Sequence, residues 1–395
     1  MKTKTRGGNI MYFYAKTDKN ALSYRAGEAA KFTLTLREDG KTVFPNGIIK
    51  YKIETDGKAG CVIGEAPAGA PLTLTAACAV PGFVRLTAAL YAPDGGAYPG
   101  CGNFDGGAGF DVGNIFPATP YPSDMDAFRK KLLEEVDSVK PVILEKKELP
   151  AQKDGFELYD IKVSCAGGAP VSGYLTLPKG GKNLKCKVGY KGYGVTFPEP
   201  EYEDGTAYLF TNAHGYENGR EPKYYAALAE GALKDYGMSK TENARPETSY
   251  FYGMVVRAVT ALKFMTTLDV WNGRDLIAHG GSQGGMQAMN AASYVDECSL
   301  CDAFVPWMCD IGAKAKGRIR YAAPEFARGL CYFDGVNVAR YIKCQTEIRA
   351  GLGDYTCQPS GIVAMFNELG CEKKITFRQN MIHTSAEPEG EEFTL

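Results

Sequence analysis

The chain has 395 residues, 45% of them hydrophobic and 23% charged, so it is long enough for two folded domains with sizeable cores. Its 45 Lys and Arg residues against 46 Asp and Glu give a net charge of -1, which excludes a protein that binds nucleic acid through a basic surface. No apolar run approaches the roughly 20 residues that span a bilayer, so no membrane partner is predicted.

The twelve cysteines bear on the compartment in which the chain works. One Cys-x-x-Cys pair occurs, Cys298 and Cys301, but no second pair or nearby His completes a zinc site. We therefore predict no metal site, and free thiols in a reducing interior. The apolar piece at 10–15 is shorter than a signal-peptide core of roughly 7–15 residues. A cytoplasmic location is favoured, and a periplasmic or secreted one stays open if a leader has been cleaved.

Residues 1–113 are predicted to form an all-β domain. Polar and apolar residues alternate along several runs, which buries one face of a strand and exposes the other. The runs are 31–36, 49–53 and 84–88. Asp-Gly turn signals fall at 39–40, 56–57 and 94–95. This pattern predicts an immunoglobulin-like β-sandwich. Because it holds no His and no catalytic motif, we expect it to lie outside the catalytic machinery.

Residues 114–149 are predicted to be a linker with a connecting helix. Three prolines in 116–122 cannot lie inside a regular element, because proline removes a backbone donor. A helix is predicted over 123–139, with Ser123 and Asp126 at its cap. Few contacts are expected to cross this boundary, so deletion of the first domain is expected to preserve the catalytic geometry.

Residues 150–395 alternate between strand-like and helical runs. The strand-like runs are 156–164, 171–177, 184–190, 207–212, 276–279, 304–308, 346–350 and 375–377. The helical runs are 250–266, 283–295 and 361–369. Such alternation predicts a mostly parallel sheet with helices on both faces.

The strongest chemical signal is Gly280-Gly281-Ser282-Gln283-Gly284. It follows a predicted strand and opens a predicted helix, which is the context of a nucleophile elbow. The nucleophile of such an elbow sits on a strained turn, so its neighbours must lack side chains that would collide with the backbone. Ser282 is therefore the candidate nucleophile.

A serine nucleophile needs a base, and the chain has three histidines. His279 lies on the strand that leads into the elbow, where a satisfied core histidine is expected. His214 precedes the nucleophile in the chain. The order nucleophile, acid, histidine leaves His383, in a loop after the strand at 375–377.

The acid is expected at the end of a strand between Ser282 and His383. Asp354 directly follows the strand at 346–350 and would hold the imidazole in the correct tautomer. Asp310 also follows a predicted strand and is the reserve candidate.

The oxyanion of an acyl-transfer intermediate needs backbone N–H donors. One is expected from Gln283, the residue after the nucleophile, and the other from Tyr193 in the loop after the strand at 184–190. Trp307 and Tyr216 are the candidate residues of the substrate pocket.

These residues resemble the acetyl xylan esterase and cephalosporin-C deacetylase group, carbohydrate esterase family seven. The resemblance covers roughly 115–395. Its motifs are the elbow at 280–284, Lys191-Gly192-Tyr193, Gly353-Asp354 followed by Cys357 and Pro359, and the segment 250–254 with Arg257. The resemblance implies an α/β-hydrolase domain, preceded here by a sandwich like that of some relatives.

The chain departs from the family pattern at three places. Lys191 stands where the family has His before Gly-Tyr, and 212–215 replaces its Arg-Gly-Gln motif. The family's His-Glu signature is His383-Thr384 here. These departures bear on the family's usual assembly and exact substrate more than on the predicted set of Ser282, Asp354 and His383.

The resemblance implies removal of acetyl groups from xylan-derived sugars by a serine esterase that needs no cofactor. Larger acyl groups such as feruloyl esters, or a peptidase on the same fold, remain as alternatives. A carbohydrate-binding protein without catalysis is the alternative from another class. The expected partner is a small ester or an acetylated oligosaccharide, and assembly into a homo-oligomer stays open.

Overall fold

A computed structural model describes residues 11–57, 60–319 and 324–395. The segment 1–10, on which the prediction about a leader partly depends, lies outside the described residues. None of the helices in the described ranges combines the length and hydrophobicity needed to span a bilayer.

The N-terminal part forms two four-stranded antiparallel sheets. The first contains β1 (Tyr12–Thr17), β2 (Ala30–Glu38), β3 (Lys41–Val43) and β6 (Leu72–Ala76). The second, in the order β5-β4-β7-β8, contains β4 (Ile48–Thr55), β5 (Val62–Pro67), β7 (Gly82–Tyr91) and β8 (Phe104–Phe110). Phe13 and Phe104 are buried between the sheets, with ring centroids 6.4 Å apart. This is the predicted sandwich architecture.

Two regular elements lie in the segment predicted as a linker. The helix α1 (Met125–Asp137) has the predicted helical stripe of buried residues. Its N-cap is Asp124, with no side-chain capping bond, so the predicted cap of Ser123 with Asp126 is wrong. The strand β9 (Ile143–Leu149), which the sequence reasoning missed, pairs with the next strand and joins the large sheet.

The C-terminal part is built on one ten-stranded sheet. Its order is β18-β17-β16-β15-β14-β12-β13-β11-β10-β9. The strands after β9 are β10 (Phe156–Val163), β11 (Val171–Pro178), β12 (Leu184–Tyr190), β13 (Thr206–Thr211), β14 (Trp271–Gly281), β15 (Leu300–Phe304), β16 (Gln345–Gly351), β17 (Lys373–Arg378) and β18 (Glu392–Thr394). From β13 to β17 neighbouring strands are parallel, so their carboxyl ends meet at one edge.

Five further helices alternate with the strands of this sheet in the described ranges. They are α2 (Pro222–Glu230), α3 (Tyr250–Met265), α4 (Gln283–Tyr294), α5 (Gly335–Val338) and α6 (Pro359–Glu368). Short 3-10 turns lie at Val112–Asn114, Glu242–Ala244, Pro246–Thr248, Ala313–Lys316, Arg328–Tyr332 and Ala339–Tyr341.

Five helices lie side by side on one face of the sheet. Successive contacts join α1 to α3, α3 to α4, α4 to α5 and α5 to α6. The Tyr190 hydroxyl of β12 donates to the carbonyl of Ala258 in α3 at 2.9 Å, which fixes the face on which α3 packs. The side chains on this face, such as Val188, Ala278 and Ile348, are buried.

The opposite face is left open across β12, β14, β15 and β16. Between β12 and β13 the chain forms the loop 191–205, every residue of which is described, and no helix. His279, Asp302 and Glu347 lie in register on neighbouring strands and are partly exposed. The α/β sheet is as predicted, and α2 packs on this second face through Phe197, which contacts Tyr225 of α2 and Tyr174 of β11. Only across β12, β14, β15 and β16 does the face stay uncovered, and there polar residues alternate with the apolar ones.

One predicted strand is displaced. The sequence predicts a strand over 304–308, whereas β15 ends at Phe304. Val305, Met308 and Asp310 all have positive φ, between 41° and 63°, which a strand does not allow. The apolar residues that suggested a strand here belong to a buried loop.

Candidate active site

The strand β14 and the helix α4 meet at Ser282 in a strained turn. Ser282 has φ 57° and ψ -123°, a conformation that L-residues rarely adopt. Its N–H donates to the carbonyl of Phe304 at 2.9 Å, and its carbonyl accepts from the N–H of Trp307 at 3.0 Å. The neighbouring backbone therefore holds the turn in place, as the elbow motif predicts.

The glycines of the motif are required by close backbone approaches. A Cβ at Gly280 would lie 2.3 Å from the carbonyl oxygen of Gly284. A Cβ at Gly284 would lie 2.0 Å from the carbonyl oxygen of Tyr190, at the end of β12. Side chains at either position would force α4 away from the strands.

His383 connects Ser282 to Asp354. The Nε2 atom of His383 lies 3.0 Å from the Ser282 hydroxyl, and its Nδ1 lies 2.8 Å from Oδ2 of Asp354. The Asp354 carboxylate is fully buried, and its other oxygen accepts N–H bonds from Thr356 and Cys357. With Nδ1–H donating to Asp354, Nε2 is free to accept the serine proton.

The reserve acid, Asp310, is engaged elsewhere. It pairs with the guanidinium of Arg318 and accepts N–H bonds from Ala118 at 2.8 Å and Thr119 at 2.7 Å. The carboxyl of Asp334 lies in the same network, where burial, and then the charge of Asp310, raise its pKa to about 7. Asp310 is therefore a buried structural charge.

The two segments that carry the predicted oxyanion donors both lie next to Ser282. Gln283 is the first residue of α4, and the first N–H groups of a helix have no acceptor within it. Gly192 lies so close to the elbow that its Cβ would be 3.3 Å from the carbonyl oxygen of Gly281. The loop that carries Tyr193 is thus placed beside the nucleophile.

Tyr236, which sequence reasoning missed, holds this loop. Its hydroxyl accepts from the N–H of Gly194 and donates to Oε1 of Gln283, both at 3.0 Å. Its ring stacks on that of Tyr193, with centroids 4.9 Å apart. One tyrosine therefore links both segments that carry the predicted oxyanion donors.

His214 supports the same loop. Its Nδ1 is 2.7 Å from the Tyr250 hydroxyl and its Nε2 is 3.3 Å from the carbonyl of Gly194. A neutral ring satisfies both contacts if Nε2–H donates to Gly194 and Nδ1 accepts from Tyr250. Burial lowers the pKa of His214 to about 4, which keeps the ring neutral.

The family model described as acetyl xylan esterase (AXE1) matches residues 112–316 and 318–392. The chain belongs to the acetyl xylan esterase family. The match begins close to where the resemblance was predicted to begin, and leaves the sandwich outside.

Individual relatives agree with this membership. The chain is 25% identical over 284 residues to the acetyl esterase Axe7A of Xylanibacter ruminicola, a match that spans 67% of this chain and 64% of that protein. The chain thus matches less than two thirds of that relative's length.

Two solved structures share the fold. An acetyl xylan esterase from Paenibacillus sp. R4 superposes with a TM-score of 0.55 at 22% identity, covering 69% of this chain and 93% of that one. Acetyl xylan esterase 1 from Thermoanaerobacterium sp. gives 0.54 at 19% identity, covering 70% and 93%. Both support the α/β-hydrolase fold of the C-terminal part.

A cleft of about 1420 Å³ opens from the elbow of this family member onto the uncovered sheet face. We call it the sheet-face cleft. Its inner end is lined by Ser282, Gln283, Trp307, His383 and Thr384, its floor by Lys187, His279, Phe304 and Arg349, and its wall by Tyr193, Phe197, Glu201, Tyr202 and Glu203. Trp307 thus lies where the sequence predicted a pocket residue.

Two sequence predictions are corrected by this cleft. Tyr216 does not line it, because its ring stacks on His214 and its hydroxyl donates to the carbonyl of Thr196, behind the loop. His279 has satisfied hydrogen bonds as expected, but it lies on the open sheet face, with Nδ1 2.9 Å from Asp302.

The described residues contain one cluster of side chains spaced like the ligands of a metal ion, Asp354, Cys357 and His383. Its carboxylate and imidazole already bond to each other. The Cys298 thiol lies 3.8 Å from Cys344, while Cys301 is buried on β15. None of the twelve cysteines, all of which lie in the described ranges, forms a disulfide bond.

Proposed function

We propose that this protein is a serine esterase that removes acetyl groups from acetylated xylan or xylo-oligosaccharides. The observation that carries the proposal is the continuous Ser282–His383–Asp354 chain, with contacts of 3.0 and 2.8 Å, in a member of this family. The names of the similar proteins support acetyl as the acyl group.

In the proposed reaction, Ser282 Oγ attacks the carbonyl carbon of the acetyl ester while His383 Nε2 takes its proton. Negative charge develops on the carbonyl oxygen, where the N–H groups of Gln283 and Tyr193 stabilise it. The C–O bond to the sugar then breaks, and His383 returns the proton to the leaving sugar hydroxyl.

The acetyl-enzyme is then hydrolysed by the reverse sequence. His383 removes a proton from water, the resulting hydroxide attacks the acetyl carbonyl, and Ser282 leaves with the proton. Asp354 keeps Nδ1–H oriented and stabilises the imidazolium in both steps. No step of this reaction calls for a cofactor.

The direct test is hydrolysis of acetyl, butyryl and feruloyl esters by the wild type and by Ser282→Ala. We expect acetyl esters to be the best substrates, and the variant to lose roughly 10⁴–10⁶-fold in kcat with its fold intact. A serine-directed phosphonate should label Ser282. Labelling at another residue, or turnover by the variant close to that of the wild type, would refute the proposal. A preference for feruloyl esters would refute only the assignment of acetyl as the acyl group.

Twelve described cysteines without a disulfide bond support a further part of the proposal, that the chain works in a reducing compartment such as the cytoplasm. Fractionation of the native cells would test this, with the protein expected among the cytoplasmic fraction.

A further inference from the structure

The open face of the sheet carries polar side chains at regular positions. Strands of a parallel sheet are normally buried on both faces and are apolar throughout. Here His279 of β14, Asp302 of β15 and Arg349 of β16 alternate with buried residues on adjacent strands. A helix packed on this face would bury their charges, so the face is suited to contact with water or a polar ligand.

The polar side chains of the face are held in fixed positions. Asp302 accepts from His279 at 2.9 Å and from Arg349 at 2.9 and 3.1 Å. Burial alone would raise the pKa of Asp302, but the His279 bond and the Arg349 charge outweigh it and lower that pKa to about 2. Lys187 pairs with Glu203 at 2.8 Å across the edge of the cleft.

The sheet-face cleft is larger than the acetyl group requires. Its volume of about 1420 Å³ exceeds the upper end of ordinary small-molecule sites, roughly 1,000 Å³. Arg349 lies two strands from the strand that carries Ser282, which is about 10 Å at the usual strand spacing. The cleft therefore has room for more than one sugar ring along the sheet.

The chemistry of the cleft favours a carbohydrate over a second copy of the chain. Protein interfaces are depleted of Lys, Glu and Asp at their centres, whereas Lys187, Asp302 and Glu203 line or adjoin the sheet-face cleft. A sugar chain presents hydroxyls to paired charged groups and C–H faces to aromatic rings. Phe304, partly exposed on the floor, and Tyr193, 53% exposed on the wall, provide such rings.

We propose that the sheet-face cleft binds the sugar units that follow the acetylated one, so that an extended oligosaccharide runs from Ser282 across β15 to Arg349. This inference rests on the proposed function and names the feature that selects chains over small esters. Because the side chains on the floor are already anchored, binding immobilises few of them, and little conformational entropy is lost.

The test compares 4-nitrophenyl acetate with acetylated xylohexaose. In Arg349→Ala the ratio of kcat/KM for the hexaose to kcat/KM for the small ester should fall about tenfold, through KM, as expected for loss of a hydrogen bond from a charged group. Arg349 has a 55% exposed side chain, so the variant should fold. Arg274→Ala is the matched control, since Arg274 is exposed and pairs with Asp275 outside the cleft, and it should leave the ratio unchanged.

A binding experiment separates this inference from the proposed function. Unacetylated xylohexaose should bind to Ser282→Ala, and about tenfold more weakly to Ser282→Ala with Arg349→Ala, by calorimetry or NMR titration. If the wild type hydrolyses acetyl esters but neither the ratio nor binding changes, the inference is wrong while the function stands. If no acetyl ester is hydrolysed, the function fails, and hexaose binding still tests the cleft. A dimer in sedimentation that Arg349→Ala dissociates would show instead that the face joins two copies.

Discussion

Asp354 and Asp310 both follow strands of the parallel sheet, and only their surroundings distinguish them. Asp354 bonds to His383, whereas Asp310 neutralises the buried guanidinium of Arg318. Asp354→Asn should therefore keep its stability and lose roughly 10³–10⁴-fold in kcat, because an amide does not support the imidazolium.

Asp310→Asn should show the opposite pattern. It leaves the Arg318 charge buried without its partner, which costs roughly 3–5 kcal/mol of the free energy of unfolding. Its kcat per folded molecule should stay close to that of the wild type. Kinetics and calorimetry on both variants distinguish the roles, and a large loss of kcat in folded Asp310→Asn alone would show that the acid is assigned wrongly.

The buried His214 predicts a pH dependence of stability. Its pKa is lowered to about 4, whereas an unfolded histidine has a pKa of roughly 6.5. Between these values the unfolded chain binds the additional proton, so the His214 contribution is present above pH 6.5 and is lost as the pH falls towards 4. The slope is at most about 1.4 kcal/mol per pH unit.

His214→Gln removes this titrating group and keeps a side-chain donor. Its Tm should therefore fall less steeply than that of the wild type as the pH is lowered from 6.5 to 4.5, measured by calorimetry at matched ionic strength. Equal slopes in the two proteins would mean that His214 is not held neutral by the fold. The loop 191–205, which His214 holds at Gly194, should also be looser in the variant, with a lower kcat.

A sequence predicts the candidate site residues that a local motif marks, and it gives no signal for those that only the fold brings together. Ser282 was found because its glycines and the strand-to-helix context are visible in five consecutive residues. Tyr236 lies in a loop with no motif around it, and its role arises only because Gly194 and Gln283 meet there. An isolated tyrosine carries no local signal of such a contact.

At the level of strands and helices, periodicity predicted most of the sheet. Alternation predicts β2, β4 and β7, and helical spacing predicts α3, because each of them turns mainly one face to the core. The helix α4, all of whose residues are buried, is predicted from its small residues instead. The missed β9 has almost no buried residue, so it lacks that signal. The open face escaped prediction because strand–helix alternation does not tell on which side of a sheet each helix packs.

The sandwich is joined to the two loops that carry the acid and the histidine. The side chain of Gln379 accepts from the N–H of Gly107 at 2.8 Å and donates to its carbonyl at 3.0 Å. The neighbouring Asn380 accepts from the N–H of Asp105 and donates to the carbonyl of Phe13. Few contacts were expected across this boundary, and that expectation is wrong, because backbone groups, invisible in a sequence pattern, make the contacts.

The acid loop meets the same strand of the sandwich. A Cβ at Gly353 would lie 2.1 Å from the carbonyl oxygen of Asp105 in β8. Arg85 of β7 lies over the buried ring of Tyr355, 4.3 Å from its centroid. The N–H of Gly353 in turn donates to the carbonyl of Met381, which ties the acid loop to the histidine loop. The sandwich therefore braces both loops behind the triad.

Loosening this contact should lower activity although no described residue of the sandwich lines the sheet-face cleft. Gln379→Ala leaves both backbone groups of Gly107 unpaired in a buried place and frees the segment that leads to His383. A misplacement of about 1 Å costs on the order of 10²-fold in rate, so kcat on a small acetyl ester should fall by roughly 10–100-fold with KM little changed. Gln345→Ala, at an exposed position on β16, is the matched control and should behave as the wild type.

Deletion of residues 1–113 should have at least the same effect on kcat, since it removes β7 and β8 together with the contacts to Gln379, Asn380 and Tyr355. The deletion also exposes the apolar surface around Phe377, which packs on Phe83, so folding and monodispersity must be established first by circular dichroism and sedimentation. A folded deletion variant with wild-type kcat would show that the two loops hold their positions unaided. If the deletion variant does not fold, Gln379→Ala answers the question alone. An unchanged kcat in that variant would also contradict bracing by the sandwich.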